Sequence, residues 1–258
     1  MTTPAKQTKQ TKQTTDATGR RTAGALAFVV GGLQYAVLES VAASAWRSPP
    51  YDYVSNYISD LGVADPQTYG GRVVDSPLAW VMNTGFVLEG LFFALGAVLL
   101  AALFGKVSRV LFVAFALSHT VGIVLVGFFD ETTAGHWHVG GAFLSIVFGN
   151  LTAVVVALCW RRAGLPRWFA VVSVVLPVVG LASEIVLLAG LGDPALDGLF
   201  ERGGVYSITA WQILFGLVVL CASGSSRISW EVARSPRPAA RASSRGRGRR
   251  ATRARRRI

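Results

Sequence analysis

The sequence predicts an all-α fold, a polytopic bundle of six transmembrane helices with a short amphipathic outer helix and disordered cytoplasmic tails. Three observations predict it. Apolar residues make up 52% of the 258 residues and charged residues only 15%, against about 25% in soluble domains. Those charges are segregated, with Lys and Arg crowded at the ends and long interior stretches nearly free of them. The interior apolar runs approach 20 residues or so, the length that carries a helix across about 30 Å of hydrocarbon.

In chain order, residues 1–21 are rich in Thr, Gln and Lys and read as a disordered basic leader. They are not a signal peptide, because the first apolar run is too long and no small-residue cleavage site follows it. A membrane domain follows over residues 22–222, with spans expected at about 23–45, 78–104, 109–129, 137–160, 168–191 and 205–222. Each is a helix, since a spanning segment satisfies its backbone internally. The sixth is the shortest. Residues 223–258 form an Arg-rich tail, with 12 Arg from Arg227 onward, and its composition is low-complexity and disordered. Cys159 and Cys221 lie near the ends of different apolar runs and suggest no disulfide framework.

Orientation follows from the basic residues. The leader, Lys106 and Arg109 at the turn between spans 2 and 3, the turn at 161–167, and the tail hold 22 of the 25 Lys and Arg. Both termini are therefore expected in the cytoplasm of a multi-pass cell-membrane protein. Only Arg47, Arg72 and Arg202 fall on the other side, where most of the carboxylates lie.

The longest gap between spans holds Tyr51–Gly62, YDYVSNYISDLG. Tyr53, Val54, Tyr57, Ile58 and Leu61 recur at helical spacing, and Asp52, Ser55, Asn56, Ser59 and Asp60 take the complementary positions. Pro49 and Pro50 stand at the expected start and Gly62 at the stop. The pattern predicts an outer amphipathic helix that caps the bundle or lies on lipid, its polar face turned outward.

Glu39, Glu89, His119, Asn150 and Glu184 lie within spans. An ionisable group at mid-membrane costs at least about 2.5–3.5 kcal/mol, so it faces the bundle interior and finds a partner. His119 and Asp130 are close to three helical turns apart and share a face. They either line one cavity opening outward, or His119 bonds a neighbouring helix while Asp130 ends span 3. Asp130, Glu131, His136 and His138, in DETTAGHWH, are a metal-capable set, although a helix would point the two imidazoles about 200° apart. His138, Gly141, Ser145 and Gly149 form a small-residue stripe suited to helix packing. Pro177, Gly180 and Glu184 in span 5 suggest a kink near an acidic group. No cofactor is expected. The expected partners are membrane lipids, with anionic headgroups at the Arg tail, and no specific nucleic acid, because the tail has a single aromatic, Trp230, and no nucleic-acid-binding motif.

YDYVSNYISDLGV, then SPLAWVMNTGFVLEG opening span 2, then a Gly-Phe-Phe-Asp turn with His at the start of span 4, resembles a prokaryotic membrane-protein family known as domain of unknown function 998. Ser55, Ser59, Asp60, Leu61 and Gly62 carry the most specific part of the likeness, and Asn83, Gly90, Gly127 and His136 or His138 echo the rest. The resemblance implies a multi-span membrane protein and no particular chemistry.

Three activities fit these residues. The first is a lipid-, small-molecule- or partner-binding protein acting through its outer face. The second is a proton- or cation-coupled carrier using Glu39, Glu89, His119 and Glu184. The third is an outward-facing hydrolase or metalloenzyme using Asp60, Asp130, His136 and His138. The chain has no GxSxG, P-loop or strand-linked GxGxxG signature.

Overall fold

Six helices form where the six apolar runs predict them, and all are long and apolar enough to cross a membrane. A computed structural model describes the backbone of residues 4–234 and the side-chain surroundings of residues 16–222. The helices are α1 (Pro4–Ala45), α2 (Ala79–Leu100), α3 (Lys106–Phe128), α4 (Gly135–Ala163), α5 (Arg167–Leu188) and α6 (Asp197–Arg234). The chain is a multi-pass membrane protein.

Both ends of the helical region extend further than composition suggests. α1 runs back to Pro4, through the segment expected to be disordered. That leader has no glycine before Gly19 to interrupt it, and its Lys and Gln are good helix formers. α6 is helical to Arg234, past the expected tail boundary at 223, and the remaining Arg-rich residues lie outside the described region. At its other end, the sixth span begins at Pro194, not at 205. Asp193 starts it by accepting from the Ala195 amide at 3.0 Å, with Pro194 in the first position. Hydropathy misses these turns because they carry Asp197, Glu201 and Arg202, all of which bond protein groups.

Consecutive helices pack side by side, and α6 closes the ring against α1. The connections 46–78, 129–134 and 189–196 therefore share one end of the bundle, called here the loop end. The turns between α2 and α3 and between α4 and α5 share the terminal end with α1's start.

The interior falls into two apolar clusters along the bundle. Toward the terminal end, Phe28, Phe93, Phe112, Phe169, Trp211 and Phe215 stack together. Toward the loop end, Tyr35, Trp46, Tyr51, Ile58, Leu61 and Phe86 form the second. Glu89 and His119 lie on the stretches of α2 and α3 between the clusters.

The loop end departs from the expected helix. Residues 51–58 are turns, followed by one turn of 3-10 helix over Ser59–Gly62. A two-stranded hairpin follows, β1 (Gln67–Tyr69) with β2 (Arg72–Val74), joined at Gly70 and Gly71 with φ of 55° and 80°. Two positive-φ residues are what a two-residue hairpin turn demands, so Gly-Gly fits there.

The small-residue stripe on α4 does pack a helix. A methyl at Gly141 would lie 2.7 Å from the Gly122 carbonyl oxygen of α3, which is backbone and has nowhere to go, whereas one at Gly140 would meet nothing within 4 Å. Gly141→Ala is accordingly expected to cost about 1–3 kcal/mol by overpacking, and Gly140→Ala to be neutral or slightly stabilising through helix propensity. Melting of the two variants in detergent checks this; equal melting temperatures would show that α3 and α4 are not held this closely.

Candidate functional site

The loop over residues 51–62 fails to become a helix because its backbone groups are claimed from outside. One helical turn does form, with Asn56 N donating to Asp52 O at 2.8 Å, and Asp52 also accepts from Val54 N and Ser55 Oγ. In a continuing helix the amide of Tyr57 would bond Tyr53 O and that of Ile58 would bond Val54 O. Instead Tyr57 N donates to Asp60 Oδ2 at 3.0 Å, and Ile58 N donates to Glu201 Oε2 of α6. The freed carbonyls are taken by α6: Arg202 Nη1 donates to Tyr53 O at 2.9 Å, and Leu199 N to Val54 O at 2.9 Å. Gly198 lets the chains approach, since a methyl there would sit 3.0 Å from Val54 O.

Arg202 is the hub of this contact and is 4% exposed. Nη1 also donates to Asn56 O and Gly198 O, while Nη2 donates to Tyr51 OH and to Glu39 Oε1 at 3.4 Å. Glu39 accepts as well from Tyr206 OH at 2.8 Å. The guanidinium lies 4.9 Å from the Tyr53 ring centroid, close enough for a cation–π contact.

A second arginine holds the other side of the loop. Arg72 of β2 grips Asp60 with both arms, Nη2 to Oδ1 at 2.9 Å and Nε to Oδ2 at 3.1 Å, and its guanidinium lies 4.0 Å over the Tyr57 ring. Asp60 and Ser59, expected on an exposed polar face, are buried, while Tyr53 and Val54 of the expected apolar face are exposed. The polar face is turned into the protein because two arginines and α6 supply its partners there.

Ser59 Oγ donates to Glu131 Oε2 at 3.2 Å, and Arg72 Nη2 is 3.8 Å from Glu131 Oε1. Burial pushes the Glu131 carboxyl up to about 9, and the neighbouring Asp60 and Glu201 charges push the same way against Arg72. Glu131 is thus a neutral acid at pH 7. Its O–H supplies a donor at an oxygen that otherwise has no hydrogen-bond partner. Asp60 is pushed up by burial, but Arg72, Glu131 and Asn56 outweigh this and hold it below its ordinary value.

Beneath Ser59 lies a cavity of about 30 Å³, walled by Tyr35, Phe86, His138, Ser145, Glu201 and Val205, room for one or two waters. Tyr35 OH is buried there without a partner. His138 is fixed by donating from Nδ1 to Phe129 O at 2.7 Å. Ser145 connects the cavity to the bundle interior. Its carbonyl lies 2.9 Å from His119 Nδ1, and its hydroxyl 3.2 Å from the same nitrogen. His119 Nε2 faces both oxygens of Glu89, at 3.0 and 3.2 Å. Gln212, in the orientation that satisfies its amide, donates to Glu89 Oε1 at 2.9 Å and accepts from Gly32 N.

This geometry counts protons. A carbonyl only accepts, so Nδ1 of His119 carries a hydrogen. Nε2 then faces a carboxyl across hydrogen-bond distance, and two acceptors cannot make that contact. One further proton lies between them, on His119 or on Glu89. The pair is a buried proton-binding site, at 1% and 2% exposure.

The remaining expected residues stand apart. Asp130 accepts from the hydroxyls and amides of Thr132 and Thr133, and these bonds outweigh burial and hold its carboxyl below its ordinary value. It organises its own turn and shares no cavity with His119. α4 begins at Gly135, so His136 and His138 lie on a helix; His136 is exposed beside Trp137, and the two imidazoles diverge. Among the described residues no three His, Cys, Asp or Glu are grouped to hold a metal. Glu184 is buried on α5 near Ile146 and Gly204, with Oε2 lacking a partner, outside the cavity wall. Asn150 ties α4 to α6 through Ser207 and Gly204.

Four functional residues escaped the sequence reading, Arg72, Glu201, Arg202 and Tyr35, and Glu131 was expected only as part of the metal-capable turn. The two arginines were legible as exceptions to the charge bias, and Gly70-Gly71 between β-branched and aromatic residues signalled the hairpin that carries Arg72. Nothing local marks Tyr35.

Glu131 makes the loop sensitive to alkali. Its carboxyl is raised from an ordinary 4.5 to about 9, so the folded chain holds the proton more tightly than the unfolded chain. That stabilisation is complete at low pH and is lost as pH rises toward about 9. Asp60 works oppositely, its contribution vanishing only in acid. Glu131→Gln imitates the neutral acid, so its melting temperature should fall less than that of the parent chain between pH 6 and 9, roughly the upper part of that interval. Parallel melting curves for the two proteins would refute the assignment.

No curated protein and no solved structure matches the chain. A family model does, over residues 22–218, which takes in the four middle spans whole and most of the first and last. Residues that carry the likeness lie at the contacts described: Asn83 Nδ2 donates to Gly62 O, Thr120 Oγ1 to Gly90 O, and Gly127 abuts Asn83. The chain belongs to the family of proteins of unknown function DUF998.

Proposed function

We propose that the chain is a proton-coupled transporter, in which the loop-end cavity gives protons access to the His119–Glu89 pair. The observation that carries this reading is the proton which that pair must hold, joined through Ser145 to a cavity large enough for water. A proton held between an imidazole and a carboxyl group is what a coupling site needs, and intramembrane ionisable groups commonly mark such paths. In the described conformation loop 51–62 covers the cavity, so this is a closed state and access requires the loop to move. With both termini cytoplasmic, as the basic residues favour, the cavity opens toward the outside of the cell membrane.

Binding through an exposed polar face is less well supported, because Ser59 and Asp60 are buried. A metal-dependent hydrolase is less well supported because Asp130, His136 and His138 do not converge.

The test is proton movement into proteoliposomes carrying an internal pH-sensitive dye, across a screen of small solutes. Wild-type protein is expected to show solute-dependent proton uptake, and Glu89→Gln, which cannot share the proton, to lower it by about tenfold or more, the loss of roughly 1.4 kcal/mol or more at a coupling step. Proton movement no greater than in protein-free liposomes throughout the screen would sink the proposal, as would undiminished uptake with Glu89→Gln.

A further inference from the structure

At the terminal end, α4 and α5 part to leave an open cleft of about 550 Å³. The connection that makes it is short. Gly164, at φ 71°, ends α4 with Leu165 N donating to Trp160 O at 2.9 Å, and α5 starts at Arg167. This turn puts Arg161 on one rim of the cleft and Arg167 on the other, both exposed. Small residues from both helices, Ala157 and Ala170, form its floor. Exposed Val171 and Val174 line its wall.

We infer that this cleft binds a phospholipid with an anionic headgroup, its phosphate between Arg161 and Arg167 and one acyl chain along α5. Charge complementarity supports the headgroup. Two guanidiniums flank the cleft, no carboxylate lines it, and neither arginine has an ion pair among the described residues. Basic pockets between membrane helices take anionic headgroups on this basis. The apolar trough supports a lipid and not a free phosphate: from Arg167 to Val175 the wall runs about 12 Å down the helix. Val171, Val174 and Val175 face outward along it. α5 is also the least buried of the six spans, so its surface has the most room for a lipid. Trp160, beneath the Arg161 guanidinium at 5.2 Å, and exposed Trp168 mark the headgroup level. The cleft is lined by residues of α4 and α5 alone and lies at the opposite end of the bundle from the loop-end cavity.

Native mass spectrometry of the full-length protein, purified in detergent and given equal phosphatidylglycerol and phosphatidylcholine, tests it. Wild type should retain phosphatidylglycerol in preference. The Arg161→Gln/Arg167→Gln double variant should retain about tenfold less, from roughly one charge interaction per arginine. Val174→Trp, which fills the trough and leaves the charges, should lose the lipid as well, and replacing the arginines of 235–258 by glutamine should not. Equal retention of the two lipids overturns the inference, as does retention unchanged in the double variant or in Val174→Trp. So does retention that follows the tail arginines.

Discussion

Arg202 is the constraint on which the loop end depends. A charged side chain at 4% exposure carries a large desolvation cost and persists only if most of its hydrogens are used. Its two Nη atoms find three backbone carbonyls, the Tyr51 hydroxyl and Glu39, while Nε is buried without a partner. Those carbonyls belong to chain that would otherwise bond itself into a helix. The arginine thus replaces a local secondary structure with a long-range one, from α6 to the first connection. Removing it would leave Glu39 buried with only Tyr206, and Tyr53 O and Asn56 O without donors. Because α6 satisfies three carbonyls and one amide of residues 53–58, those of Tyr53, Val54, Asn56 and Ile58, the loop cannot leave the bundle without exposing several groups together.

What was legible in the sequence follows from which forces act locally. Hydrophobic length is local, and it located spans two to five to within a few residues at both ends, and the end of the first. The sixth began eleven residues earlier because Asp197, Glu201 and Arg202 lower the hydropathy of turns whose charges are satisfied by tertiary partners. The misreading of 51–62 has the same origin. Its apolar spacing is helical, yet Asp60 and Ser59 face inward because Arg72 and Glu131, remote in sequence, meet them there. Periodicity reports which residues share a face and cannot say which face is buried when the polar one has buried partners. The charge bias was more informative than the pattern: of the three arginines on the carboxylate-rich side, two proved to be the clamps. The Glu89–His119 pair, 30 residues apart on different helices, required the packing of α2 on α3 to be known.

The family resemblance singled out Ser59, Asp60, Leu61 and Gly62, and the structure supplies physical reasons for each. Asp60 is the anion that Arg72 requires. Ser59 is the link to neutral Glu131. Leu61 is wholly buried in the loop-end cluster. Gly62 faces Asn83, where a methyl would meet its side-chain oxygen at 2.6 Å. These four residues make the 3-10 turn that seals the cavity, so they are positioned to govern access whatever the cavity admits.

The two proton-bearing sites differ in a way that bears on mechanism. Glu131, in the loop connecting α3 and α4, is held neutral by burial, with the neighbouring Asp60 and Glu201 charges adding to it against Arg72. The proton of the His119–Glu89 pair sits between two apolar clusters, joined to the loop end through Ser145 and the cavity beneath Ser59. Ser59 bonds Glu131 on one side and lines the cavity on the other. Ionising Glu131 would place a second carboxylate beside Asp60 with one arginine between them, and the turn over Ser59–Gly62 would lose its tight closure. Opening the cavity and deprotonating its rim are therefore linked through a single serine, and linkage requires that anything entering beneath the loop alter the proton affinity of Glu131 by the same coupling energy.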